Sequence, residues 1–149
     1  MRVIGLDLGS KRIGVAVSDT SATIATPLTV IQRSKKHSID HQAIASLVRE
    51  EEAEAVVVGL PLSMSGEMGP AARAAVAESE VLATVVSVPV HLHDERLTTV
   101  AADAVLIEAK MKAQARRRVV DKVAAAVMLQ SWLDARKNAQ GSDHSSGAN

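Results

Sequence analysis

The amino-acid sequence begins with two apolar runs that a short polar turn separates. Val3–Leu8 and Ile13–Ser18 form the two runs, and Gly9 stands at the start of the turn between them. Strand-like runs at this spacing predict a β-hairpin. Pro27–Ile31 is a third short run of the same kind, and we expect it to continue the antiparallel pairing.

Helical and strand-like patterns then alternate along the chain. Helices are predicted over four segments: Ile39–Glu52, Pro70–Leu82, Thr98–Glu108 and Val119–Lys137. Ala55–Val58 is an uninterrupted apolar run typical of a buried parallel strand, and Val85–His93 predicts the last strand. Pro89 indicates that this last strand lies at a sheet edge, because proline lacks the N–H that a central strand needs. Lys110–Arg118 is basic and predicts a loop.

This order of elements predicts an α/β fold. Three antiparallel strands come first, and the two later strands should run parallel to the first because helices connect them. We therefore expect a five-stranded mixed sheet with helices on both faces.

The bulk properties favour one cytoplasmic domain. Residues 1–137 of the 149 carry the periodic segments, whereas 138–149 is polar and predicts a disordered tail. No run could cross a membrane, and the chain opens on a strand-like run instead of a secretory signal. Cysteine is absent, which excludes disulfides and thiolate metal sites.

Charge and aromatic content limit how nucleic acid could bind. The formal net charge is +0, so no field of the whole molecule attracts a polyanion. Trp132 is the single aromatic residue among Phe, Trp and Tyr, which argues against binding single strands by stacked rings. Any contact with nucleic acid must therefore come from local basic patches.

Three acidic residues are candidates for a metal site. Asp7 lies in an apolar strand, where a buried carboxylate is costly unless a cation meets it. Glu95 follows the last strand, whose carboxyl end should share a sheet edge with Asp7. Asp121 lies on the apolar stripe of the last predicted helix, shared with Ala125, Met128, Leu129 and Trp132.

Each acidic residue also has a structural alternative. Asp7 could accept hydrogen bonds from the following turn, and Glu95 or Asp121 could favour a helix N-terminus. If the three meet, their repulsion is relieved by a divalent ion, and oxygen ligands suit Mg²⁺ or Mn²⁺. Such a site could hydrolyse phosphodiesters.

Basic residues flank the proposed acidic site and could bind a nucleic-acid backbone: Lys11, Arg12, Arg96, Arg116, Arg117 and Arg118. Their alternative is an ordinary solvated surface.

The sequence also contains two other candidate sites. His91 and His93 could form a zinc pair, and Gly5–Gly9 could be the phosphate turn of an actin-like ATPase. No third histidine follows nearby, and such ATPases pair two domains where this chain has room for one.

Four stretches together resemble the YqgF family, described both as Holliday junction resolvases and as pre-16S rRNA nucleases. They occur in the family's order and cover nearly everything except the tail: Gly5–Asp19, Val56–Ala72, Asp94–Ala102 and Val119–Asp134. Ser63 and Ser65 depart from the Asn and Asp common in the family's loop, so that loop is not assigned a catalytic role.

The resemblance implies a ribonuclease H-like fold and a Mg²⁺- or Mn²⁺-dependent nuclease whose catalytic and metal-binding residues are Asp7, Glu95 and Asp121. The expected oligomeric state is a monomer or a homodimer. The resemblance favours processing of the pre-16S rRNA 5′ end, with the ribosome precursor as partner. Two alternatives stay open at this point. One is cleavage of four-way DNA junctions, and the other is a nucleic-acid-binding factor without turnover.

Overall fold

The fold places one five-stranded sheet between helices. The computed structural model describes the backbone of residues 1–97 and 113–147 and the side chains of residues 1–96 and 121–138. The strands are β1 to β5 in chain order: Val3–Leu8, Arg12–Ser18, Ala25–Gln32, Ala55–Leu60 and Val90–Asp94. The helices are α1 to α3: His37–Glu50, Pro70–Val85 and Ala113–Gly147. A short 3₁₀ helix, Glu95–Leu97, follows β5.

The sheet has the predicted mixed topology. Its strand order is β3-β2-β1-β4-β5, with β1, β2 and β3 antiparallel and β4 and β5 parallel to β1. The carboxyl ends of β1, β4 and β5 therefore lie at one edge, where sites form in open α/β sheets. The predicted α/β class and strand arrangement are confirmed.

Helices cover both faces because strand side chains alternate between them. Ile4, Leu6 and Val58 belong to the apolar cluster that includes Ile44 of α1 and Leu82 of α2. On the other face, Val3, Ala16 and Val57 pack with the apolar stripe of α3: Ala125, Ala126, Met128, Leu129 and Leu133. Asp7 points to this second face, since it alternates in phase with Val3.

Several predicted boundaries differ from the structure. The last strand begins at Val90, directly after Pro89, whereas α2 continues through Val85. The basic segment predicted as a loop is helical from Ala113, since alanine, glutamine and arginine favour helix and no glycine or proline interrupts them. The helix predicted over Thr98–Glu108 lies outside the described residues.

The backbone of α3 also continues past Lys137 to Gly147. The division into a domain over 1–137 and a separate tail over 138–149 stays a prediction. Among the described helices, none combines the length and the apolar character that crossing a bilayer would need.

Candidate active site

Asp7 lies near the carboxyl end of β1, partly buried beneath α3. Burial is the main cause that raises the pKa of its carboxyl group, and the negative charge of Asp121 raises the pKa further. A carboxylate that loses hydration and faces a like charge gains from a nearby cation. A cation near Asp7 would therefore stabilise its ionised form.

Gly14 allows Asp121 to come close to Asp7. Gly14 is the residue opposite Asp7 in the β1–β2 ladder. A Cβ at Gly14 would collide with the main-chain oxygen of Asp121 and lie 2.6 Å from its carbonyl carbon. The absence of a side chain at Gly14 therefore lets α3 rest on the sheet at Asp121, beside Asp7.

Glu95 lies at the same edge, directly after β5, and a second glycine, Gly59, leaves space for its side chain. A Cβ at Gly59 of β4 would overlap Oε1 of Glu95 and lie 3.1 Å from Cδ. Burial, followed by the charges of Asp7 and Asp94, raises the pKa of Glu95 to about 6. Asp7 thus interacts electrostatically with Asp121 and with Glu95.

The three acidic residues approach one another without forming a closed ligand set. Among the side chains that the structure describes, no three His, Cys, Asp or Glu are grouped closely enough to hold a metal ion. Asp121 instead accepts a hydrogen bond of 2.5 Å from Nε of Arg12. The assignment of Asp7, Glu95 and Asp121 as metal ligands and catalytic residues stays a prediction.

The predicted phosphate-binding residues occupy different environments. Lys11 is exposed in the β1–β2 turn, whereas Arg12 pairs with Asp121. Arg96 is held by Asp94, with Nη2 2.6 Å and Nε 3.0 Å from Oδ2. The backbone of Arg116, Arg117 and Arg118 is part of α3, and their side chains lie outside the described residues.

Arg96 also connects the acidic edge to the loop after β4. Its Nη1 lies 3.5 Å from the carbonyl oxygen of Met64, a side chain that is 94% exposed. In the same loop the hydroxyls of Ser63 and Ser65 lie 2.9 Å apart. Ser63 Oγ also accepts a hydrogen bond from the N–H of Glu67, so these hydroxyls serve the loop's own conformation.

The candidate zinc pair has other partners. Nε2 of His93 lies 2.9 Å from Oγ of Ser131, and burial lowers the pKa of His93. The His91 ring lies 5.7 Å from the ring of Trp132. Both imidazoles contact residues of α3. These contacts explain the positions of His91 and His93 without a zinc ion.

Sequence reasoning missed Gly14, Gly59 and Asp94. A glycine inside a strand pattern is a signal of close backbone approach, and it could have marked the two glycines. Asp94 has two effects at this edge: its side chain fixes Arg96, and its negative charge lies beside Glu95.

Comparison with known proteins identifies the family. Residues 1–135 match the family described as "RuvX: Holliday junction resolvase". The chain belongs to the RuvX family. This confirms the resemblance to YqgF proteins, and the family's description is that of a nuclease.

Curated relatives of this RuvX chain carry a second description. A protein of Caldanaerobacter subterraneus subsp. tengcongensis named "Putative pre-16S rRNA nuclease" is 48% identical over 139 residues, which span 93% of this chain and 99% of the relative. A Moorella thermoacetica protein of the same name is 48% identical over 134 residues, spanning 90% and 95% of the two chains.

A solved structure supports the fold. "T. thermophilus RuvC in complex with Holliday junction substrate" superposes with a TM-score of 0.60 at 20% identity. The superposition covers 93% of this chain and 96% of that one. At this identity the likeness establishes a shared RuvC-like architecture, consistent with the predicted ribonuclease H-like fold.

Proposed function

We propose that this protein is a divalent-metal-dependent endonuclease that cleaves structured RNA, processing the 5′ end of pre-16S rRNA in the cytoplasm. One observation carries the proposal: Asp7 is partly buried and interacts with two further acidic residues, Asp121 and Glu95. Carboxylates that interact in this way favour the binding of a cation. The names of the curated relatives support the choice of RNA substrate.

The chemistry of the donor set fits a hard cation. Asp7, Glu95 and Asp121 offer only carboxylate oxygens, which suit Mg²⁺ or Mn²⁺. These three residues would hold the ion. When bound, the ion supplies a water of lowered pKa and stabilises negative charge on the leaving oxygen.

The chain's own groups would bind and orient the substrate. Lys11 is exposed at the turn next to Asp7, where its ammonium group can approach a phosphate of the substrate. Arg12 neutralises part of the acidic cluster through Asp121. Arg96, fixed by Asp94, presents a guanidinium at the edge where Glu95 lies. These cations would offset repulsion between the carboxylates and a polyanionic backbone.

A four-way DNA junction is the second candidate substrate. The description of the RuvX family favours it. RNA and DNA differ by 2′-hydroxyl contacts, so the two substrates must be compared directly. A labelled pre-16S rRNA fragment with its 5′ leader and a labelled junction, each with Mn²⁺, Mg²⁺ or EDTA, provide that comparison.

Asp7→Asn is the decisive variant because it removes one negative charge with little change in shape. We expect it to fold, to bind RNA, and to lose cleavage by at least about a hundredfold. Asp134→Asn is the matched control, since Asp134 is an exposed residue of α3 whose carboxylate accepts a bond from Gln130. Cleavage should persist in this control.

The outcomes separate the candidates. Metal-dependent cleavage of the RNA alone supports the proposal, whereas cleavage of the junction alone supports the resolvase. Binding that EDTA leaves unchanged, with no product under any ion, would show a binding factor without turnover. Cleavage by Asp7→Asn at the wild-type rate would overturn the assignment of the acidic site.

A further inference from the structure

A second cluster of charged residues lies on the opposite side of the β1–β2 turn, among α1, α2 and the residues after β3. Its side chains are nearly inaccessible: Arg33 is 9% exposed, Glu78 11%, His41 4% and Asp40 2%. None of the four belongs to the acidic edge described above. The cluster therefore needs its own explanation.

Arg33 is the centre of this cluster. Its Nη1 and Nη2 donate hydrogen bonds of 2.6 and 2.8 Å to the two carboxylate oxygens of Glu78. Nε2 of His41 lies 2.8 Å from the same carboxylate. Asp40 Oδ2 is 3.8 Å from Nη1 of Arg33, and Oδ1 accepts a bond from the N–H of Ser34. A guanidinium that donates two hydrogen bonds to one carboxylate and lies beside a second carboxylate is fixed in a single orientation.

Burying an ion pair in a protein interior costs free energy, because both charged groups lose their hydration. Apolar side chains of similar volume often stabilise a protein at least as well, because they avoid the desolvation of charge. Among the residues that the structure describes, none forms a hydrogen bond with the buried Oδ2 of Asp40. A contribution to stability therefore does not explain well why these charged residues are buried together. The third nitrogen of the Arg33 guanidinium, Nε, suggests a better explanation.

That donor points at the turn beside the acidic site. Nε of Arg33 donates a 3.0 Å hydrogen bond to the carbonyl oxygen of Gly9. The backbone N–H of Arg33 donates a 2.9 Å bond to the carbonyl oxygen of Lys11. The same residue thus holds the turn at two points, through its side chain and its main chain.

The turn carries two residues of the site at its ends. The N–H of Gly9 donates to the carbonyl oxygens of Asp7 at 3.1 Å and Arg12 at 3.0 Å. Asp7 is the central acidic residue, and Arg12 pairs with Asp121. A displacement of the Gly9 carbonyl would therefore move the backbone from which both side chains extend.

We propose that Arg33, held by Glu78, is a positioning residue of the active site that fixes the Gly9–Lys11 turn and through it Asp7 and Arg12. This inference rests on the proposed nuclease function of the acidic edge. Arg33 is not among the residues that we propose to contact substrate or metal. Its effect should appear in the rate of cleavage and in the local order of the turn, not in substrate affinity.

Arg33→Lys is the test variant. Lysine keeps the charge beside Glu78, but its ammonium group lacks the planar fork and the separate Nε that reaches Gly9. Arg2→Lys is a matched control, because Arg2 also pairs with a glutamate, Glu51 at 3.1 Å, and directs Nε at a carbonyl oxygen, that of Ser18. Arg2 lies at the other end of β1 from Asp7.

Two measurements distinguish positioning from simple stabilisation. We expect amide hydrogen exchange in the Gly9–Arg12 segment of Arg33→Lys to accelerate at least about tenfold while exchange in β4 stays slow. We also expect kcat to fall at least about tenfold with KM for the RNA unchanged, because misplaced groups lower the rate of the chemical step. Glu78→Gln should show the same pattern more weakly, and Arg2→Lys should show neither change.

The results overturn the proposal in defined ways. Wild-type kcat in Arg33→Lys would show that the contact has no role in positioning. Equal acceleration of exchange in the turn and in β4 would show a general loss of stability instead. If the wild-type protein cleaves neither substrate with any ion, the nuclease function fails, and the exchange data separately decide whether Arg33 fixes the turn.

Discussion

Nε of Arg12 lies 2.5 Å from Oδ2 of Asp121, joining the start of β2 to the helix that covers it. Both side chains are about 30% exposed or less, so the pair is partly shielded from water. Arg12 thereby supplies positive charge to a cluster whose other members, Asp7 and Glu95, have raised pKa values. A divalent ion and Arg12 would compete for the same carboxylate.

Arg12→Met tests this competition. Without the guanidinium we expect the metal-free protein to lose about 1 kcal/mol of unfolding free energy. Mn²⁺ should bind at least about threefold more tightly, because the site becomes more negative. RNA should bind more weakly, since a phosphate contact is lost. Thermal unfolding, calorimetry with Mn²⁺ and filter binding measure the three effects, and Arg12→Lys serves as the charge-preserving control. Weaker Mn²⁺ binding by Arg12→Met would contradict the prediction.

Gly59→Ala should separate cleavage from folding. The new Cβ would overlap Oε1 of Glu95, a flexible side chain that can turn away from the site. We expect the midpoint of thermal unfolding to change little and cleavage to fall by about tenfold to a hundredfold. Gly69→Ala is the matched control, because a Cβ there lies more than 4 Å from every other described residue except its chain neighbours. Undiminished cleavage by Gly59→Ala would show that the position of Glu95 is unimportant.

Gly14→Ala should instead lower stability. Its Cβ would collide with the backbone of Asp121, which can move only if α3 lifts from the sheet. Overpacking of this kind costs about 1–3 kcal/mol or more, and urea denaturation measures the loss. A variant as stable as the wild type would mean that α3 packs less closely than the structure shows.

The acidic edge also predicts a dependence on pH. The pKa of Glu95 is about 6 in the folded protein, against an ordinary value of 4.5. Because the folded state holds this proton more tightly, its contribution to stability is present below about pH 4.5 and is lost as the pH rises through about 6. Asp7 shifts in the same direction. The metal-free protein should therefore become less stable across this window.

Mn²⁺ should reverse that loss, since the ion replaces the proton. We expect Mn²⁺ to raise the thermal unfolding midpoint clearly at about pH 7 and little at about pH 5, and cleavage to decline below about pH 6. Glu95→Gln should weaken the pH dependence of metal-free stability. The same Mn²⁺ stabilisation at both pH values would argue against binding at these carboxylates.

Much of the fold could be predicted because the relevant signals are local. The apolar runs around Val3–Leu8 and Ala55–Leu60 alternate or continue in the way that half-buried and buried strands require. The apolar stripe of α3 also predicted that Asp121 would face the sheet. α3 begins at Ala113, earlier than the predicted Val119, because a run of basic residues resembles a loop although arginine favours helix.

The partners of individual charges could not be predicted in the same way. Arg33 and Glu78 are 45 positions apart, and Arg12 and Asp121 are 109 positions apart. Nothing in local periodicity connects such pairs, since the contact depends on how separate elements pack. Arg96, in contrast, pairs with Asp94, only two positions away along the chain.

The directions of the strands and the edge shared by Asp7 and Glu95 could be predicted from the sequence, because helical connections make strands parallel and bring their carboxyl ends to one edge. Tertiary structure alone decided how closely Asp7, Asp121 and Glu95 approach. The spacing of these three residues depends on the absence of side chains at Gly14 and Gly59. It also depends on the β1–β2 turn, to which Arg33 is hydrogen-bonded. Close packing of distant segments, which no short stretch of sequence encodes, is the physical reason for the difference.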